Sequence, residues 1–162
     1  PNKFPDIETA NHATAKYTVG QVFEGTDSSG RYACWMYVQY LDAVTYIRGQ
    51  VMCWANASGT AVTNDRSGGT GVDGVHAAGV GCAVYTQNYY GWMQIAGYAL
   101  CIGDGAVAAG ESVVAHTVDG QMDTMAAGEE HYVFGTALNA DDTANDPLTT
   151  SAMSLVKLQN LF

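Results

Sequence analysis

The chain of 162 residues is 48% hydrophobic and only 14% charged, with a formal net charge of −10, a composition that supports one packed core and excludes a disordered, highly solvated chain. Its six basic residues, Lys3, Lys16, Arg31, Arg48, Arg66 and Lys157, are scattered, whereas a phosphate backbone needs clustered cations to displace its counterions, so nucleic acid is not expected as a partner. An anionic bilayer would repel the chain, and no apolar run approaches the ~20 residues that span a membrane, so a membrane is not expected either.

In chain order, residues 1–16 hold Pro1 and Pro5 with isolated Phe4 and Ile7, which predicts an extended N-terminal arm ahead of a single β-rich domain over 17–162. The opening residues show no basic segment leading into an apolar run, so no secretory signal is expected. Asp27-Ser28-Ser29-Gly30 is a turn signature, and the aromatic-rich stretch Arg31–Leu41 after it predicts a strand. Val44–Trp54 predicts a strand pair or a bent strand, with Gly49 at the bend, and Asn56–Thr60 a turn. The glycine-rich stretch Asn64–Gly74 predicts a surface loop.

Beyond that loop, Val80–Tyr85 and Tyr89–Leu100 predict strands. In the second, alternation places Trp92, Gln94 and Ala96 on one face and Met93, Ile95 and Gly97 on the other. Gly103-Asp104-Gly105 reads as a turn, Ser112–His116 and Gln121–Met125 as strands, and Asp119-Gly120 as their two-residue hairpin turn. Tyr132–Leu138 and Ala152–Leu158 predict the last strands, flanking an acidic loop, Asp141–Pro147. Hardly any window supports an amphipathic helix. The pattern predicts an all-β fold, a small β-sandwich or β-barrel of short antiparallel strands.

Little in the sequence points to chemistry. Cys34, Cys53, Cys82 and Cys101 lie far apart and within apolar runs, which predicts buried, reduced thiols rather than a metal or redox pair. His12, His76, His116 and His131 form no two-ligand motif. Ser28 and Ser29 belong to a turn without a matching His and Asp, and the spacing within Asp141–Asp146 departs from a calcium loop. No catalytic, cofactor-binding or metal-ligating residue is therefore assigned, no cofactor is expected, and the chain is not expected to be an enzyme. The aromatic residues Trp35, Tyr37, Tyr40, Tyr46, Trp54, Tyr85, Tyr89, Tyr90, Trp92 and Tyr98 suit a protein interface or, alternatively, stacking on sugars.

The stretch Tyr90–Gly97, followed by Ala106–Gly110, Asp119-Gly120-Gln121, Gly135–Leu138 and the closing Leu155–Leu158, resembles tailed-phage capsid decoration (cement) proteins, most closely over residues 79–162. The resemblance implies a structural virion protein, made in the host cytoplasm, that binds the outer surface of the capsid and stabilises junctions between subunits of the major capsid protein. A homo-oligomer such as a trimer would add avidity. Within that reading the arm, through Asn2, Lys3, Phe4 and Ile7, is expected to lie across a neighbouring capsid subunit. The alternative is a phage fibre or glycan- or receptor-binding β-module.

Overall fold

The computed structural model describes residues 7, 9–27, 29–41, 46–66, 76–140 and 153–159. Ten strands follow one another: β1 (Val22–Thr26), β2 (Tyr32–Tyr40), β3 (Val51–Trp54), β4 (Ala61–Thr63), β5 (Ala77–Gly81), β6 (Tyr90–Ile102), β7 (Ser112–Ala115), β8 (Met122–Thr124), β9 (Gly135–Ala137) and β10 (Met153–Leu158). A single 3-10 turn, Glu130–Tyr132, interrupts them, and no α-helix occurs among the described residues. The fold is all-β, as the glycine-punctuated alternation predicts.

Neighbours run in the order β1-β2-β4-β3-β5-β6-β10-β9-β7-β8, and an additional pairing of β2 with β6 closes β2, β4, β3, β5 and β6 into a five-stranded barrel. The pairings are antiparallel except that of β2 with β4, which is parallel. The open part of the sheet hangs on the far half of β6. Residues Tyr90–Gly97 of that strand pair with β2, whereas Gly97–Ile102 pair with β10.

Alternation along the barrel strands separates three apolar clusters. Inward positions, among them Met36, Val38 and Tyr40 of β2, Met52, Val62, Ala78, Met93 and Ile95, fill the barrel together with Tyr46 and Tyr85. Outward residues Val51, Cys53 and Val80 pack against Val113, Met122, Phe134 and Val156 of the open sheet. On the opposite wall Ala33, Trp35, Tyr37 and Trp92 lie under the N-terminal segment.

One end of the barrel is sealed by phenols. Pairing of β5 with β6 runs from Val80↔Gln94 to Gly81↔Met93, so the Trp92 carbonyl, which faces the same side as Gln94, lies beyond the strand's end. The Tyr40 and Tyr85 hydroxyls both donate to it, and the Tyr85 oxygen in turn accepts the Cys82 and Ala83 N–H groups, each at 2.9 Å. The two rings stack with centroids 3.8 Å apart.

Among the described residues, the strand faces depart from simple alternation at two bulges, one at Ala78 of β5, where Met52 opposes Gly79 while Cys53 opposes Ala77, and one in β6. The β2–β6 register slips between Cys34 and Trp35, so that Cys34 opposes Ala96 while Trp35 opposes Gln94. The extra residue, Ile95, is a β-bulge. Ala96 therefore packs inside the barrel with Met93 and Ile95, not with Trp92 and Gln94 as alternation predicts. Gly97 follows with φ +93°, and a Cβ there would stand 2.3 Å from the Tyr32 carbonyl oxygen and 2.9 Å from the Ala33 Cα. Close passage of β2 over β6 at this point requires glycine.

Two further strands were not expected from the sequence. β4 lies between the predicted turn at Asn56–Thr60 and the predicted loop that follows. β1 is held as a hairpin arm on β2 by Asp27. The Asp27 carboxylate accepts the Ser29 and Arg31 N–H groups at 2.8 and 2.9 Å and the Arg31 guanidinium at 2.9 Å. Partial burial pushes this carboxyl up, but the hydrogen bonds and the guanidinium charge outweigh it and hold the group below its usual range. Residues 67–74 of the predicted loop Asn64–Gly74, and the predicted loop Asp141–Pro147, lie outside the described residues.

Two predictions follow from this packing. Gly97→Ala is expected to cost about 3 kcal/mol in denaturant unfolding, combining left-handed strain with overpacking. Gly105→Ala, at φ +95° but with no atom within 4 Å of its Cβ, is expected to cost only ~1 kcal/mol. Equal losses would remove the close approach as the cause. For the phenols, burial, the largest cause, raises Tyr40 and Tyr85 well above the ordinary value of 10. The unfolded chain therefore releases these protons first, so their contribution is intact below pH 10 and lost as pH rises beyond it. In an alkaline titration their phenolate absorbance is expected only together with unfolding.

Candidate functional site

The N-terminal contact expected from the sequence divides at Ile7. Asn2, Lys3 and Phe4 lie outside the described residues. Ile7 is 6% exposed and sits with Ala10 against Ala33, Trp35, Tyr37 and Trp92. His12 and Tyr90 exchange backbone hydrogen bonds, both at 2.9 Å, which continues the outer edge of β6 past the end of β5. Asn11 and Thr86 bond in both directions, Nδ2 to Oγ1 at 3.1 Å and N–H to Oδ1 at 3.0 Å. The Tyr37 hydroxyl lies 2.7 Å from His12 Nδ1 and accepts the Lys16 N–H at 3.2 Å. The described part of residues 1–16 thus belongs to the barrel wall, and Ile7 spends its apolar surface within its own chain. The sequence signal for this was present in the spacing of Ile7 and Ala10, but two apolar residues beside prolines read equally well as an arm.

Most of the aromatic group is core. Tyr37, Tyr40, Tyr46 and Tyr85 are fully buried, and Trp35 and Trp92 nearly so. Trp92 meets Tyr17 and Tyr37 at ring separations of 5.1 and 5.2 Å, and Phe23 lies 6.1 Å from Trp35. These rings are not available to a partner or a sugar. Among the described residues, the exposed large apolar side chains are Val22, Tyr32, Val84, Val118 and Leu138.

The four cysteines are free, and Cys34, Cys53 and Cys101 are buried. Burial, the largest cause, pushes the Cys53 thiol up to about 12, which keeps it protonated and unreactive near neutrality.

One cluster with ligand chemistry emerges only in three dimensions. Asp104, His116 and Asp123 bring their donor atoms within 4.8 Å of one another, because Asp104 donates its N–H to the Met122 carbonyl and so lies beside the β7–β8 hairpin. His116 Nδ1 accepts the Val118 N–H at 2.9 Å, and Nε2 lies 3.6 Å from an Asp123 oxygen. With the Nδ1 lone pair engaged, the neutral ring carries its proton on Nε2, the very atom that a cation would need. The second carboxylate oxygens are also used locally: Asp104 takes the Ala106 N–H and Asp123 the Thr124 N–H. The group ties the hairpin to the Gly103–Gly105 turn. Three residues so far apart in sequence give no spacing signal.

No protein-family model and no curated protein matches the chain.

Ile7→Ala is expected to destabilise the chain by about 2–4 kcal/mol, as for a core aliphatic. A change within ~0.5 kcal/mol in the isolated protein would instead mark Ile7 as a surface residue.

Proposed function

We propose that the chain is a non-enzymatic structural protein that binds the outside of a phage capsid and stabilises junctions between major-capsid subunits. The observation that carries this reading is where the chain leaves room for function. A barrel of eight strands is already just filled by side chains, and this five-stranded one is occupied by Tyr40, Tyr46, Tyr85, Met52, Met93 and Ile95. What the chain offers a partner is its outer surface, poor in charge and set with exposed Val22, Tyr32, Val84, Val118 and Leu138.

A module that binds only assembled subunits stabilises the assembly by mass action, in proportion to RT ln(1 + [L]/Kd), and the effect repeats over every copy on a lattice. A rigid, closed barrel suits that task because it loses little conformational entropy on binding. The resemblance to decoration proteins over residues 79–162 agrees with this reading. A sugar-binding module is less favoured, since most rings that would form a stacking platform are buried.

The test is cosedimentation of the purified protein with empty heads assembled from the major capsid protein of a candidate phage, followed by heating with and without it. Saturable binding that raises the temperature of head disruption is the expected result. Absence of binding, together with retention on a glycan array, would replace the capsid reading with the glycan-binding one.

A further inference from the structure

We infer that the outer edge of β1 is a strand-addition site for an extended, basic segment of a partner protein. Of the two strands that end the sheet, β8 is met along its outer side by Gly103 and Asp104, through the Gly103↔Met122 bridge and the Asp104 N–H bond to the Met122 carbonyl. Strand β1 has no such cover among the described residues.

Hydrogen bonding fixes which groups face outward. Tyr37 donates to the Gln21 carbonyl and Asp27 to the Arg31 carbonyl, with Val22 opposite Met36 and Thr26 opposite Tyr32. In an antiparallel pair the backbone groups of alternate residues point the same way. The Gln21 carbonyl, the N–H and C=O groups of Phe23 and Gly25, and the Asp27 N–H therefore turn toward β2, while the Gln21 N–H bonds the Thr18 carbonyl and the Asp27 carbonyl takes the Gly30 N–H. The N–H and C=O groups of Val22, Glu24 and Thr26 turn away. They present three donors and three acceptors in ladder spacing, the arrangement by which a sheet edge takes up a further strand.

The side chains specify the occupant. Val22, Glu24 and Thr26 are all exposed, and Tyr32, across from Thr26, is 54% exposed, so an added strand would meet apolar surface at both ends and one carboxylate between. Glu24 makes no ion pair among the described residues, and its charge is felt nearby: after burial, it is the next cause raising both the Tyr32 phenol and the Cys34 thiol. A second copy is a poor occupant. The antiparallel register that pairs all three outward residues sets Glu24 opposite Glu24, between chains that each carry a net charge of −10. The complement is a segment with Lys or Arg opposite Glu24 and β-branched residues two positions to either side.

The probe is the peptide acetyl-Thr-Val-Lys-Val-Thr-amide at millimolar concentration, compared with the same peptide carrying Glu in place of Lys, and read by amide chemical shifts and hydrogen exchange in the whole chain. Expected are shifts and slowed exchange at the Val22, Glu24 and Thr26 amides, with about a fivefold preference for the Lys peptide, inverted by Glu24→Lys. Thr26→Pro, which removes an outward N–H and no bond to β2, should abolish binding while the fold persists. The inference is overturned by shifts that map elsewhere, by equal response to both peptides, by no response, or by outward amides already as protected in the free chain as those of Phe23 and Gly25. It stands apart from the capsid reading. A chain that takes the Lys peptide but leaves heads uncoated loses only the latter, and one that coats heads but ignores the peptide loses only the strand-addition site.

Discussion

The pairing of β2 with β6 is the constraint on which the architecture rests. Without it the strands would form one long open ribbon; with it, five of them close on themselves and acquire an inside. The closure is tight because the two backbones pass at Ala33 and Gly97 with no room for a Cβ on the latter. Beyond that crossing β6 leaves the barrel and carries β10, and through it β9, β7 and β8. One strand thus belongs to two packing layers, and the bulge at Ile95 redirects its side chains just before it changes partner.

Closure with so few strands leaves a narrow interior, and the chain fills it with tyrosine. A phenol brings large apolar area but also a hydroxyl that must be satisfied when buried. Tyr40 and Tyr85 meet that demand at the Trp92 carbonyl, where β6 outruns its neighbour β5, so two polar needs answer each other. The N-terminal segment does the same for the next position along that edge, where His12 pairs with Tyr90. Strand ends that would expose unsatisfied backbone groups are covered by side chains or by this segment, and the outer edge of β1 stands apart from that pattern.

Much of the local structure was legible in the sequence. The long alternating runs became β2 and β6 and the closing hydrophobic run became β10, whereas Asp119-Gly120 is not a two-residue hairpin turn but the second half of a four-residue loop between β7 and β8, closed by the His116 N–H bond to the Gln121 carbonyl. β1 was not legible, since Val22, Phe23, Glu24, Gly25 and Thr26 hold too few apolar residues to show a period. β4, three residues long, is shorter than any window that could reveal it. The face swap after Ile95 escaped because a bulge is defined by the partner strand and not by the strand itself. Sandwich and barrel could not be separated for a related reason: closure depends on which distant strands meet. The aromatic residues were misread as surface because tyrosine is ambivalent, and only the buried acceptor at Trp92 decides its place. The Asp104, His116 and Asp123 group depends on the same long-range contacts.

Barrel closure also has a kinetic meaning. The strands that seal the wall are separated by the whole of β3, β4 and β5, and the parallel pairing of β2 with β4 cannot be made by a tight turn. Such non-local pairings pay their loop-closure entropy before they are rewarded by contact, and chains dominated by them fold slowly. Until Gly97 has left the ribosome there is no partner to complete the wall, and the inward faces of β2 and β3, rich in Met, Tyr and Cys, face water. The nascent chain is thus most vulnerable to aggregation during synthesis of its first two thirds, and arrival of β6 converts an adhesive open sheet into a sealed particle in a single late step.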